Sequence, residues 1–245
     1  MHADQPRPAF YALAPGGWRD YVTLLHPPYT LWHLAYVVVG AAVASPDVQP
    51  GRLLPTLAAF ALALGVSAHA LDELRGRPLA TSIPRSTLVA LAVLALAGAV
   101  GIGLYGAVAV NPWIALFVLV GATAAVAYNL ELLGGRVHGH VQFALAWGAF
   151  PVLTGAFAAA ERISEAALAA AGFAFLTALA QRHLSTQVRD VRRRIVRVSG
   201  VVERRDGSTE PVTRATLAAT PERALGLLAA SHVALALALV MMRVG

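Results

Sequence analysis

The chain reads as an all-α protein, a bundle of about seven membrane-spanning helices around a polar chamber that faces the cytoplasm. Three observations predict it. Of 245 residues, 58% are hydrophobic and only 13% charged, a balance far from that of a soluble domain. The apolar residues gather into seven runs that approach the ~20 residues a spanning helix needs. The even-numbered runs all end in clusters of ionisable and amide side chains, which places those clusters at one face of the bilayer.

Residues 1–20 form an N-terminal tail, in which Pro6, Pro8, Pro15 and the pair Gly16-Gly17 interrupt regular structure and no apolar signal-peptide core is found. The first run, residues 30–44, is short unless residues 21–28 contribute, and Pro27-Pro28 breaks or kinks a helix there. The second, residues 53–71, leads into His69-Ala-Leu-Asp72-Glu73-Leu-Arg75-Gly-Arg77-Pro78-Leu79. The third and fourth cover residues 87–108 and 112–130; the fourth closes on Tyr128-Asn129-Leu-Glu131, followed by Gly134-Gly135-Arg136-Val-His138-Gly-His140. The fifth, residues 141–160, carries Gln142 and Trp147, and the sixth, residues 165–184, ends in Gln181-Arg182-His183. A basic cytoplasmic segment, residues 185–221, separates this six-span core (21–184) from a C-terminal span (222–245). Within that segment Asp206-Gly207 lies between β-prone runs and suits a tight hairpin turn.

Orientation comes from arginine, which supplies all nineteen basic residues. With a cytoplasmic N-terminus only Arg52, Arg162 and Arg243 fall outside, a strong positive-inside asymmetry. The chain is thus expected to be a multi-pass protein of the plasma or inner membrane of a prokaryote. Arginines against anionic headgroups account for the net charge of +6, and nucleic acid is not a partner. With no cysteine, a disulfide framework, a thiolate nucleophile and a thiolate-ligated metal are all excluded.

If the second helix continues through Leu74, then His69, Asp72 and Glu73 stand at i, i+3 and i+4 and share a face. An imidazole and two carboxylates so placed bind a metal or pass a proton; alternatively they mark the point where the helix leaves the membrane. Tyr128, Asn129, Glu131 and His183 join them as catalytic candidates, because the ends of spans two, four and six face the same side. Arg75, Arg77, Arg136, Arg182 and Arg189 are candidate substrate or phosphate ligands, since guanidinium forks match phosphoryl oxygens bidentately. Headgroup anchoring is the equal alternative for each. His26 and His33, with Trp32 and Tyr36, read as interfacial side chains, and His232 as a packing residue.

These motifs resemble those of the UbiA-type intramembrane prenyltransferases. The likeness runs over residues 21–184. It is carried by the acidic end of span two with Arg77-Pro78-Leu79 and Ile83-Pro84, by Tyr128-Asn129, and by Trp147-Gly148-Ala-Phe150-Pro151 with Thr154-Gly155. The resemblance implies a helical bundle with a lateral chamber, where an isoprenyl diphosphate is held through Mg2+ by two aspartate-rich motifs. The chain is then donated to an aromatic or lipid acceptor. In this sequence His69 stands where the first motif has Asn, Glu73 falls on its first acidic step and Arg77 on its second. The second motif is replaced by Gln181, Arg182, His183 and Gln187.

Three readings stay open. One is a divergent prenyltransferase in which Asp72 and Glu73, beside His69, carry Mg2+ and arginines stand in for the second metal. Another is an oxidase or hydrolase acting on a lipid, with His69, Asp72 or Glu73, Glu131, His138, His140 and His183 offering nitrogen and oxygen ligands to zinc, iron or manganese. The third is a non-catalytic lipid-binding or scaffold protein.

Overall fold

The structure is a computed structural model that describes residues 7–244; Pro6 and the rest of residues 1–6, with residue 245, lie outside the described residues. Within them, counting each continuous run of helical turns once, there are eight helices. They are α1 (Trp18–Leu24), α2 (Pro27–Ala44), α3 (Pro50–Leu74), α4 (Arg85–Ala109), α5 (Ile114–Asn129), α6 (His140–Ala160), α7 (Glu165–Arg193) and α8 (Arg214–Val244). Each of the seven apolar runs becomes one of α2 to α8. Four of these, α3, α4, α6 and α8, are long and apolar enough to cross a bilayer by length and composition, and α5 is a shorter apolar helix.

Local chemistry explains the boundaries. Pro27 and Pro28 start α2 rather than kinking a longer helix, because proline lacks only an N–H that the first turn leaves unbonded anyway. Residues 21–26 therefore do not lengthen the first run. Residues 21–24 belong to the separate α1, and His26, with φ 45°, turns the chain into α2. The side chain of Ser164 caps α7 by accepting from Ala167 N at 3.2 Å.

The basic segment is shorter than its sequence suggests, since α7 runs on to Arg193 and α8 begins at Arg214. Val188 and Val191 bury one face of that extension, and Arg192 pairs with Glu222 of α8, Nη2 to Oε2 at 2.8 Å. What remains is the expected hairpin, β1 (Val201–Glu203) antiparallel to β2 (Thr209–Pro211), with Val202 opposite Glu210 and Gly207 at φ 79° in the turn.

The tightest packing joins α2 to α6. A Cβ built on Gly40 would lie 2.0 Å from Val152 O, and one on Gly155 would lie 2.1 Å from Val37 O, so the two backbones touch directly. Helices in lipid have no water-driven association between them and rely on such close contacts of small residues. Gly148 brings α6 against α7 in the same way, 2.6 Å from Ala174 O. A buried polar thread ties α2, α7 and α8: Trp32 Nε1 donates to Tyr36 OH at 2.7 Å, and Tyr36 OH bonds Thr177 Oγ1 at 2.7 Å. His232 reaches Thr177 from α8 at 3.3 Å, which fits its expected role in packing.

Two stretches depart from α geometry. Ala61–Ala68 within α3 and Ala144–Ala149 within α6 are π-helical. Such wide turns are costly, and they recur at functional sites. Leu64 and Ala68 from the first and Trp147 from the second line the same cavity.

Candidate functional site

The ends of α2, α3, α5, α6 and α7 enclose a chamber of about 160 Å³, covered by the segment from Pro8 to Tyr11. That cover is tied down from α7: Arg192 Nη1 donates to Arg7 O at 3.0 Å and Arg193 Nε to Pro8 O at 3.3 Å. Of the predicted residues, His69, Asp72, Tyr128, Asn129, His138, Arg182 and Arg189 line this one space.

The other predicted residues are elsewhere. Glu73 is fully buried and turned into the loop that follows α3, where it accepts from Leu79 N and Thr81 N at 2.9 Å each and from Thr81 Oγ1 at 2.8 Å. The physical reason is helical phase: neighbouring residues diverge by about 100°, so Asp72 can face the chamber only if Glu73 faces away. Arg77 folds over the same loop and donates to Thr81 O and Ile83 O at 2.8 and 2.9 Å. Arg75 pairs with Glu131 at 2.9 Å on the surface and also reaches Leu130 O. Arg136 and His183 are exposed, and the His183 ring meets that of His140 edge-on at 4.6 Å.

The metal set proposed from sequence is thereby divided. Among the described residues no group of three His, Cys, Asp or Glu side chains is placed to hold a metal ion. Glu73 has its oxygens engaged, leaving Asp72 as the sole acid among the described residues that line the chamber. The residues present do not fit Mg2+, nor the zinc, iron or manganese alternatives.

Hydrogen bonds fix several ring protons. His69 Nδ1 lies 3.1 Å from Gly65 O, His138 Nδ1 2.9 Å from Tyr128 O and His33 Nδ1 2.7 Å from Trp147 O. A carbonyl can only accept, so each Nδ1 carries a proton, and in the neutral ring the lone pair is on Nε2. His26 is the reverse case. It stacks on His69 with centroids 4.0 Å apart, and its Nδ1 lies 2.6 Å from Tyr11 OH. Burial holds the Tyr11 phenol above and the His26 imidazole well below their ordinary pKa values, so both are neutral. Tyr11 then donates to Nδ1, and His26 Nε2 carries the ring proton.

Among the described residues, four buried polar atoms of the chamber lining have no hydrogen-bond partner: His26 Nε2, Tyr128 OH, Gln181 Oε1 and Arg182 Nε. Each such group costs about 1–3 kcal/mol when left alone. The Arg182 guanidinium is held over the rings of Tyr128 and Phe143, 5.9 and 5.4 Å from their centroids. An apolar groove of about 80 Å³ lies directly against the chamber, with Leu64 and Trp147 lining both. Ala59 and Phe60 line both that groove and a further apolar cavity of about 110 Å³, which reaches Arg52 near the start of α3. No protein-family model, curated protein or solved structure matches the chain.

Sequence reasoning missed Tyr11, His26 and Arg193 as lining residues. A signal for His26 was present. If spans two, four and six end at one face, the first span begins there, and His26 immediately precedes Pro27.

Proposed function

We propose that the protein is a membrane-embedded enzyme of the prenyl-transfer type, UbiA-like in plan, acting on an isoprenyl diphosphate and a lipophilic acceptor. The observation that carries this reading is the junction at Leu64 and Trp147. There a chamber with polar atoms unpaired among the described residues and three arginines lies directly against an apolar groove, with these two side chains as the shared wall. A small molecule with an anionic head and a long hydrocarbon chain satisfies both halves at once.

In this reading the allylic C1–O bond breaks, and the electron pair leaves with the diphosphate oxygen. Arg182, Arg189 and Arg193 stabilise the charge that develops there. The faces of Tyr128, Phe143 and Trp147 attract the cationic carbon. A new bond forms from the acceptor to C1, and the acceptor's proton passes to the lone pair on His69 Nε2, which the bond to Gly65 O keeps available. The same reading takes all of α2 to α8 as spans. It places the N-terminus and the chamber on the cytoplasmic side, against anionic headgroups, in the plasma or inner membrane of a prokaryote.

The test is release of inorganic diphosphate when the purified full chain in detergent is given isoprenyl diphosphates and a membrane lipid extract, with mass spectrometry of the lipid product. His69→Gln is expected to lower turnover while substrate is still retained. Isoprenyl diphosphate bound by the wild type without turnover would favour the lipid-binding alternative, and no binding at any chain length would end the proposal.

A further inference from the structure

The UbiA resemblance implies a metal-bridged diphosphate, and the side chains here are arranged for something else. Resting on the prenyl-transfer reading, we infer that the diphosphate is bound directly by Arg182, Arg189, Arg193, Tyr128 and His26, with no divalent cation between anion and protein.

Consider first the acids at this end of the bundle. A bridging cation takes its charge compensation from carboxylate oxygens. Asp20 has both oxygens engaged, with Gly16 N and Ser82 N at 2.8 Å each. Glu73 is saturated by the loop, Glu131 is paired with Arg75, Glu222 with Arg192, and Asp190 is exposed beside Arg194. Among the described acids only Asp72 lines the chamber.

The donors are arranged oppositely. Residues 182, 189 and 193 are seven and four positions apart on α7, a spacing that sets them along one stripe of the helix. Arg189 gives one bond to Thr186 Oγ1 at 3.0 Å and Arg193 one to Pro8 O at 3.3 Å, so each keeps other N–H groups for a ligand. Arg182 is buried with Nε unpaired. Tyr128 OH and the Nε2–H of His26 add two neutral donors, both buried and without a partner among the described residues. Three guanidinium groups against one carboxylate repel a divalent cation and attract a polyanion, and the fork geometry suits phosphoryl oxygens.

Asp72 gives the inference a test of sign. Geranylgeranyl diphosphate binding to the purified full chain would be measured in excess EDTA and again in excess Mg2+, for the wild type, Asp72→Asn and the double variant Arg182→Gln with Arg189→Gln. The expected result is equal affinity in the two buffers and unchanged or tighter binding by Asp72→Asn. The double variant should bind at least about tenfold more weakly, from the loss of charge-assisted hydrogen bonds. If the double variant does not remain monodisperse, Arg182→Lys replaces it, since it keeps the charge and loses the fork. Binding that vanishes in EDTA and returns with Mg2+, or that weakens in Asp72→Asn, overturns the inference while leaving the functional reading intact. Absence of binding by the wild type in both buffers overturns the functional reading itself.

Discussion

Glu73 and Asp72 are adjacent in sequence and opposite in role. Glu73 accepts three hydrogen bonds inside a closed loop, so Glu73→Gln replaces an oxygen acceptor with an NH2 group facing backbone donors. A loss of roughly 3 kcal/mol or more is expected for breaking such a buried charged arrangement. It would appear as a lowered thermal unfolding midpoint in detergent, while Asp72→Asn should leave the midpoint nearly unchanged. His26 supplies a pH signature. Its imidazole is held neutral by burial, with His69, Arg193 and Arg189 adding to the effect, whereas the unfolded chain takes up a proton below about pH 6.5. The unfolded state then binds more protons, so His26 lowers stability as pH falls below that value and contributes no pH dependence above it. His26→Gln is predicted to flatten the fall in unfolding midpoint between neutral and mildly acidic pH. Helix parity made Asp72, Tyr128, Asn129, Arg182 and Arg189 legible as neighbours. It failed for His183, which is one residue and so about 100° away from Arg182, and for Glu73, Arg75 and Arg77, whose partners belong to a loop without periodicity.

At the scale of helices, the α2–α6 crossing is the contact most exposed to a single added methyl. Gly40→Ala or Gly155→Ala sets a Cβ against a backbone carbonyl that no rotamer change can move, so the helices must separate. A cost of about 1–3 kcal/mol or more is expected from overpacking, and Gly172→Ala, with nothing within 4 Å, is the control that should not shift the unfolding midpoint. Hydropathy located α2 to α8 because a run of apolar residues is itself the signal. It did not show α1, which is too short for a periodic pattern, nor the growth of α7 to Arg193, which is driven by an amphipathic rather than an apolar face. The π turns at Ala61–Ala68 and Ala144–Ala149 were also invisible, since a search at the α period assumes the phase that these turns change.

For the whole molecule, the arginine distribution makes a directional statement. Reporter fusions after Arg85 and Arg205 are predicted to give cytoplasmic signals and a fusion after Arg162 an external one; the opposite signal at Arg162 or Arg205 would reverse the orientation. The cover over the chamber ties the two ends of this arrangement together, because Arg192 and Arg193 hold the carbonyls of Arg7 and Pro8 across 185 residues of sequence. Those carbonyls are made first, and their donors emerge from the ribosome only with the last turn of α7, the sixth of the seven helices α2 to α8. During synthesis the chamber is therefore roofless, and it closes as a late, long-range event. The chain has no native cysteine, so Ala9→Cys reports on this step alone. In nascent chains arrested before Arg192 the thiol is expected to react readily with an aqueous reagent, and in the completed protein, where position 9 is 7% exposed, to be protected.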